Sequence, residues 1–320
     1  MLADYWTLHE RYGTNFMSIF SALSRWLASE AAASFSEQSV CCISASGLHR
    51  MAYTEWGERD NPNVLVCAHG LTRNGRDFDD LARALAADYR VICPDVVGRG
   101  RSAWLRDPAG YGFPQYVADM MVLLARLDVE SVHWLGTSMG GLIGMFIAGQ
   151  ADSPIKRLVL NDVGPVITGE SLRRIGEYVG RAPQFETFED AEKYIRLVSA
   201  PFGALSDQQW RHLTEFSLRH ADDGRLEMRY DPGIGAPFRQ MMVLQNVDLW
   251  PIYDSIRCPT LVVRGADSDL LTPETLHAMA ARGPRPQTVE IPGVGHAPMF
   301  LEASQIRIVR EFLLTALPGT

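Results

Sequence analysis

The stretch Gly136-Thr137-Ser138-Met139-Gly140 fits the pattern G-x-S-x-G, in which a serine stands at a sharp turn between a strand and a helix. Residues 131–135 before it form a short run typical of a strand, and the small apolar residues 141–148 after it favour a helix. The glycines permit a tight, strained turn, which leaves the Ser138 hydroxyl at the helix N-terminus. Free backbone N–H groups and the helix dipole favour negative charge there, so the pattern predicts a nucleophilic serine.

Short apolar runs continue on both sides of this turn. They recur at residues 64–69, 90–94, 157–161, 260–264 and 288–291, and helical segments lie between most of them. Strands without polar alternation that are separated by helices indicate a parallel sheet covered on both faces. The sequence therefore predicts an α/β fold with a mostly parallel sheet.

The pattern changes in two parts of the chain. Residues 165–248 carry no such strand and many aromatic side chains, so we expect a helical cap inserted into the core. Near the N-terminus, Phe16, Phe20, Leu23 and Leu27 follow helical spacing, which suits a helix packed on the domain or on a dimer partner, with a membrane-surface helix as the alternative. The predicted organisation is an N-terminal helical extension (1–40), a core domain in two parts (41–164 and 249–320) and the cap (165–248).

Composition limits the classes of function. The chain has 320 residues, 47% of them hydrophobic and 21% charged, and a formal net charge of −8, which suits a folded globular protein and excludes a basic nucleic-acid platform. Five cysteines do not form a disulfide framework, and we find no signal peptide or apolar stretch long enough to span a membrane, so the expected location is cytoplasmic. No histidine motif for a metal occurs and no helix follows the glycines at 98 and 100, so no cofactor or metal is expected.

A nucleophilic serine needs a base that is held in one orientation by an acid. His296 follows the last apolar run and precedes the last helical segment, which makes it the candidate base. For the acid we favour Asp269, because it directly precedes an apolar step toward the next helix, and Asp267 is the first alternative. Asp162, which follows the run at 157–161, is a third candidate.

An oxyanion formed at the substrate carbonyl needs two backbone donors. The N–H of Met139, the residue after the serine, is the first expected donor. The second is the N–H of Leu71, because His69-Gly70 before it lets the backbone approach closely.

Taken together, these motifs resemble the α/β-hydrolase superfamily over about residues 45–320. The loop from Asp95 to Ser102 is similar to the family pattern D-x-x-G-x-G-x-S, and the order Ser, acid, His also agrees. The family commonly has a single acid three residues after the glycine, whereas this chain has Asp267 and Asp269 after Gly265. A serine nucleophile argues against the epoxide hydrolases and haloalkane dehalogenases, which use an aspartate.

The resemblance implies a serine hydrolase that cleaves a small or medium carboxylic ester or lactone through an acyl-enzyme. A carbon–carbon bond hydrolase, a thioesterase and a cofactor-free haloperoxidase share these motifs and stay open, because pocket shape separates them. A protein that keeps the fold and only binds a ligand is the alternative from another class. The expected partner is a small molecule, not nucleic acid, and homodimer formation stays open.

Overall fold

The computed structural model describes residues 35–240 and 246–315. The strands are β1 (Phe35–Ser44), β2 (Gly47–Trp56), β3 (Val64–Ala68), β4 (Arg90–Pro94), β5 (Val132–Thr137), β6 (Ile155–Asn161), β7 (Val166–Ile167), β8 (Gln184–Phe185), β9 (Leu218–His220), β10 (Leu226–Met228), β11 (Val247–Asp248), β12 (Thr260–Gly265) and β13 (Gln287–Ile291). The helices are α1 (Asp79–Leu85), α2 (Phe113–Leu127), α3 (Met139–Ala148), α4 (Gly169–Tyr178), α5 (Phe188–Val198), α6 (Asp207–Ser217), α7 (Ala236–Gln240), α8 (Trp250–Tyr253), α9 (Pro273–Ala281) and α10 (Ala303–Leu314).

The central sheet has eight strands in the order β1-β2-β4-β3-β5-β6-β12-β13. The pairs from β4 to β13 are parallel, while β1 and β2 add an antiparallel edge. Both faces of the sheet are covered: on β3, Val66 packs in a cluster with α2 and α3, and Leu65 packs in a cluster with α1 and α10. This confirms the predicted fold class, and it explains why the central strands lack polar alternation.

The N-terminal boundary of the core differs from the prediction. Strand β1 begins at Phe35, so residues 35–40 belong to the sheet and their assignment to a helical extension is wrong. The reason is local, because Phe35 pairs with Trp56 and their rings stack with centroids 4.7 Å apart. The stripe from Phe16 to Leu27 lies outside the described residues. Within 35–240 and 246–315, no helix has the length and apolar character needed to cross a membrane.

Residues 165–248 contain the expected helices and also short strands that the sequence pattern did not indicate. Helices α4 to α7 are accompanied by a three-stranded sheet, β8-β10-β9. Strand β7 pairs with β11, so the chain leaves the core and returns to it side by side. The segment has its own apolar cluster around Ile195 and Trp210, which Met299 of the core joins. The division at residues 164 and 248 stays a prediction.

The sheet positions the candidate residues because the carboxyl ends of its parallel strands meet at one edge. Strand β3 leads into His69, β5 into Ser138 and β6 into Asp162. Strand β12 leads into the loop with Asp267 and Asp269, and His296 follows β13.

Candidate active site

Ser138 lies at the turn between β5 and α3, with backbone angles φ 52° and ψ −115°. This left-handed region is strained for a residue with a side chain, and it projects the side chain out of the turn. The flanking glycines are required by close contacts. A Cβ atom on Gly140 would lie 2.0 Å from the carbonyl oxygen of Ala68, and one on Gly136 would lie 2.2 Å from that of Gly140.

His296 contacts Ser138 with one ring nitrogen and Asp162 with the other. The distance from Nε2 to Ser138 Oγ is 3.0 Å, and the distance from Nδ1 to Asp162 Oδ2 is 2.7 Å. A carboxylate accepts hydrogen bonds, so Nδ1 carries a proton toward Asp162 and Nε2 is free to accept the proton of the Ser138 hydroxyl. The structure therefore brings Ser138 and His296 together as the sequence order predicted.

Asp162 is fully buried, and its carboxylate is surrounded by donors. Oδ1 accepts the N–H of Gly265 at 2.9 Å, and Oδ2 accepts the hydroxyl of Ser268 at 2.6 Å in addition to His296. Its own N–H donates to the Val263 carbonyl at 2.7 Å, which ties the end of β6 to β12. These bonds hold the carboxylate in one orientation, directed at the imidazole.

The prediction that Asp269 orients His296 is wrong. Asp269 has an exposed side chain that forms an ion pair with Arg174 of α4. Asp267, the first alternative, is exposed as well. The residue between them, Ser268, points inward and donates to Asp162. Since alternate residues of this short loop face opposite sides, both aspartates turn away from the imidazole, and the third candidate, Asp162, takes the place beside it.

Sequence reasoning missed two further residues that hold this arrangement. Ser268, the third residue after Gly265, stands where the family commonly has an acid, and this spacing was the signal available in the sequence. Asn161 donates from Nδ2 to Thr137 Oγ1 at 2.9 Å and to the Pro298 carbonyl at 2.8 Å, so it links the serine turn to the loop that carries His296. No motif indicated Asn161.

The loop after β3 lies next to the serine. A Cβ atom on Gly70 would lie 3.9 Å from Ser138 Cβ, and the N–H of Gly140 donates to the His69 carbonyl at 3.1 Å. Within the part of the chain that the structure describes, neither the N–H of Leu71 nor that of Met139 has a protein acceptor. Two free amides beside the serine suit the expected oxyanion site, whose assignment stays a prediction.

His69 fixes the shape of this loop. Burial lowers its pKa to about 3, and the positive charges of Arg99 and Arg73 act in the same direction. The ring is therefore neutral at ordinary pH. Its Nδ1 pairs with the Gly70 carbonyl at 2.7 Å as a donor, while Nε2 accepts the N–H of Val96 at 2.9 Å. A protonated His69 would lose the second of these bonds.

A small cavity lies beside the loop and the serine turn. Its volume is about 40 Å³. Arg73 at its wall donates to both carboxylate oxygens of Asp77 and to the Ser217 hydroxyl, so its charge is already paired. The cavity is lined by His69, Arg73, Asp77, Phe78, Thr137, Phe202, Pro298 and Met299.

Residues 63–303 match the family model of the alpha/beta hydrolase fold. The chain belongs to the α/β-hydrolase family. A 3-hydroxybutyrate-oligomer hydrolase of Cupriavidus necator is 53% identical to this chain over 285 residues, which cover 87% of this chain and 97% of that protein.

Two solved structures extend this family relationship. A putative hydrolase from Rickettsia typhi superposes with a TM-score of 0.81 at 32% identity, over 88% of this chain and 98% of that one. An alpha/beta hydrolase from Novosphingobium aromaticivorans superposes with a TM-score of 0.77 at 36% identity, over 87% of this chain and 98% of that one. The family fold thus extends over nearly the full length of both relatives.

Proposed function

We propose that this chain hydrolyses the ester bonds of 3-hydroxybutyrate oligomers, with Ser138 as the nucleophile, His296 as the base and Asp162 as the acid that orients it. The observation that carries the proposal is the chain of contacts from Ser138 Oγ through the His296 ring to Asp162, at 3.0 and 2.7 Å. The carboxylate, the base and the nucleophile stand in the order that acyl transfer to serine requires.

In the first half of the reaction, His296 Nε2 takes the proton of the Ser138 hydroxyl while Oγ attacks the ester carbonyl carbon. The carbonyl electron pair moves to oxygen, and the N–H groups of Leu71 and Met139 are the proposed donors to that oxyanion. When the carbonyl forms again, the alcohol oxygen leaves and takes the proton from His296. Asp162 stabilises the imidazolium while it exists.

In the second half, water replaces the alcohol. His296 accepts a proton from the water as the oxygen attacks the acyl carbon, and the second tetrahedral intermediate expels Ser138 Oγ, which recovers its proton from His296. The products are a carboxylic acid and an alcohol. Each of the protein groups returns to its starting protonation state.

The substrate assignment is supported by the relationship to the Cupriavidus necator protein. Family membership and 53% identity to a hydrolase of an oligomeric ester make this chain an ester-bond hydrolase. In an oligomer of 3-hydroxybutyrate, the hydroxyl of one unit is esterified by the carboxyl of the next, so a single triad cleaves every link. The alignment covers 97% of the relative, so the comparison concerns the whole of that enzyme.

The test is turnover of the linear dimer and trimer of 3-hydroxybutyrate, measured as release of the free acid. A p-nitrophenyl butyrate ester, γ-butyrolactone and a butyryl thioester serve as comparison substrates. We expect a kcat/KM for the trimer at least about tenfold above those for the lactone and the thioester. Turnover of the thioester or the lactone with none of the oligomers would contradict the substrate assignment.

Ser138→Ala tests the mechanism in the same assay. Removal of a serine nucleophile lowers kcat by about 10⁶-fold in related chemistry, and we expect a loss of that order. The matched control is Ser255→Ala, which removes an exposed hydroxyl that bonds to the Pro251 carbonyl and should leave turnover unchanged. Turnover by folded Ser138→Ala at the level of the control would exclude the proposed nucleophile.

A further inference from the structure

Arg99 is a fully buried arginine in the loop that follows β4. Within the described residues, its guanidinium has no carboxylate at ion-pair distance. The acid in the same loop, Asp95, is used elsewhere: its carboxylate accepts the N–H groups of Gly75 and Arg101, each at 2.8 Å. A buried charge normally has an opposite charge beside it, because desolvation is otherwise unfavourable. An uncompensated buried cation therefore needs an explanation.

The donors of Arg99 reach the two residues whose N–H groups are proposed to bind the oxyanion. Nε donates to the carbonyl oxygen of Leu71 at 2.8 Å, and Nη2 lies 3.7 Å from the sulfur of Met139. Nη1 donates to the Val97 carbonyl at 2.7 Å and to the Tyr116 hydroxyl at 3.1 Å. One planar group thus holds the loop after β3 and the first residue of α3 in a fixed relation.

The described groups that contact the Arg99 guanidinium are aromatic rings and uncharged acceptors. Its guanidinium carbon lies 5.0 Å from the ring centre of Tyr116 and 5.7 Å from that of Tyr111, distances at which aromatic rings attract a cation. The hydrogen-bond acceptors described above are neutral oxygens and a thioether. A positive charge in a site of low dielectric constant acts over several ångströms on any anion formed beyond Leu71 and Met139.

We propose that Arg99 is a positioning residue of the oxyanion site: its guanidinium holds Leu71 and Met139 in place, and its uncompensated charge favours the tetrahedral anion over the neutral ester. This inference rests on the proposed function, because it requires an oxyanion at these two amides. Nothing in the spacing of the loop 95–102 indicates such a role, since other side chains at position 99 satisfy the same glycine pattern.

Arg157 provides a matched control. It is also buried, and among the described residues it too has no carboxylate at ion-pair distance. Its Nη1 donates to the Phe312 carbonyl at 2.9 Å and its Nη2 to the Thr315 carbonyl, at the C-terminus of α10. The negative end of a helix dipole compensates a cation there. Arg157 contacts neither Leu71 nor Met139, so its removal should affect stability without affecting turnover.

The experiment compares Arg99→Met with Arg157→Met in the oligomer assay, with rates normalised to active sites titrated by a fluorophosphonate. We expect Arg99→Met to lower kcat by about 10- to 100-fold with KM within about threefold. The affinity for butylboronic acid, which forms a tetrahedral anion on a serine, should fall by the same factor as kcat. A purely structural role predicts fewer titrated sites and a lower Tm, with kcat per site unchanged.

Arg99→Lys keeps the proposal testable if Arg99→Met does not fold. A lysine retains the charge and lacks the planar fork that reaches both residues, so we expect a loss in kcat of about 3- to 10-fold and a parallel loss of boronate affinity. Wild-type kcat and boronate affinity in a folded Arg99 variant would overturn the inference, as would an equal loss in Arg157→Met. Ser138→Ala is measured alongside: if it is inactive while Arg99→Met has wild-type kcat, only this inference fails.

Discussion

Asp162 and Asp119 are buried aspartates that each hydrogen-bond to a histidine ring, and the two pairs differ in what faces the other ring nitrogen. Asp162 contacts Nδ1 of His296, whose Nε2 faces Ser138. Asp119 on α2 contacts Nε2 of His49 at 2.9 Å, and within the described residues the Nδ1 of His49 has no partner. A nucleophile must face the nitrogen opposite the acid, and that position is filled in the first pair alone.

The second pair also has a sulfur atom close by. The Cys42 sulfur lies within 4.8 Å of Asp119 and His49, and burial together with the Asp119 charge raises the pKa of this thiol to about 12. Such a thiol is protonated at ordinary pH and is a poor nucleophile. The side chain of His49 is 3% exposed, against 28% for His296. Similar residue types therefore form the candidate active site at the edge of the sheet and a packed polar cluster under α2.

Asp162→Asn tests the first pair and should have the largest effect. The amide has one acceptor oxygen in place of two and carries no charge to stabilise an imidazolium, so we expect kcat to fall by about 10⁴-fold. The measurement is oligomer turnover per folded molecule, with thermal unfolding to verify the fold. A loss below about tenfold would contradict the assignment of Asp162 as the acid.

Asp119→Asn tests the second pair. The carboxylate accepts hydrogen bonds from His49 at 2.9 Å and from Gln115 at 2.7 Å. An amide in its place has one oxygen and one NH2 group, so one of these two donors would face another donor and lose its hydrogen bond. We expect the free energy of unfolding to fall by about 1–3 kcal/mol. Denaturant unfolding measures this loss, and kcat per titrated site should stay within about twofold. A kcat that falls as far as in Asp162→Asn would mean that the two pairs are not functionally different.

Asp269→Asn should have the smallest effect on turnover and on stability. It tests whether the exposed Asp269 has any part in the role that we assign to Asp162. Its partner is Arg174, and exposed ion pairs contribute little stability, so we expect a change of at most about 1 kcal/mol in the free energy of unfolding. Turnover should remain within about twofold, and Asp267→Asn serves as the control in the same loop. A loss near that of Asp162→Asn would return the role of the acid to Asp269.

Much of the fold and half of the site follow from local sequence. Strands such as β3 and β4 are buried at every position, so they read as short apolar runs. The elbow at Ser138 was predictable because glycines at 136 and 140 meet a backbone constraint that few residues satisfy. His296 followed from its place after the last strand.

The acid did not follow in the same way. Asp162, Asp267 and Asp269 all lie between Ser138 and His296 in the chain and all follow strands, so the order of residues was satisfied by each. The choice depends on which side chains of a short loop point inward, and in this loop Ser268 does. The role proposed for Arg99 could not be predicted for a similar reason, because the glycine spacing around it indicates neither its burial nor its contacts.

The sequence by itself determined the parallel sheet, the strained serine turn and the histidine that follows the last strand, because each leaves a local pattern: short apolar runs, flanking glycines, and a place in the order of elements. Only the tertiary structure decided which aspartate meets that histidine and which arginine donates to the loop after β3. Those contacts depend on the register between strands. Val159 of β6 lies opposite Leu261 of β12, and this register places Asp162, which follows β6, beside Gly265 and Ser268. Register between distant segments comes from packing of the whole core, and no local pattern records it.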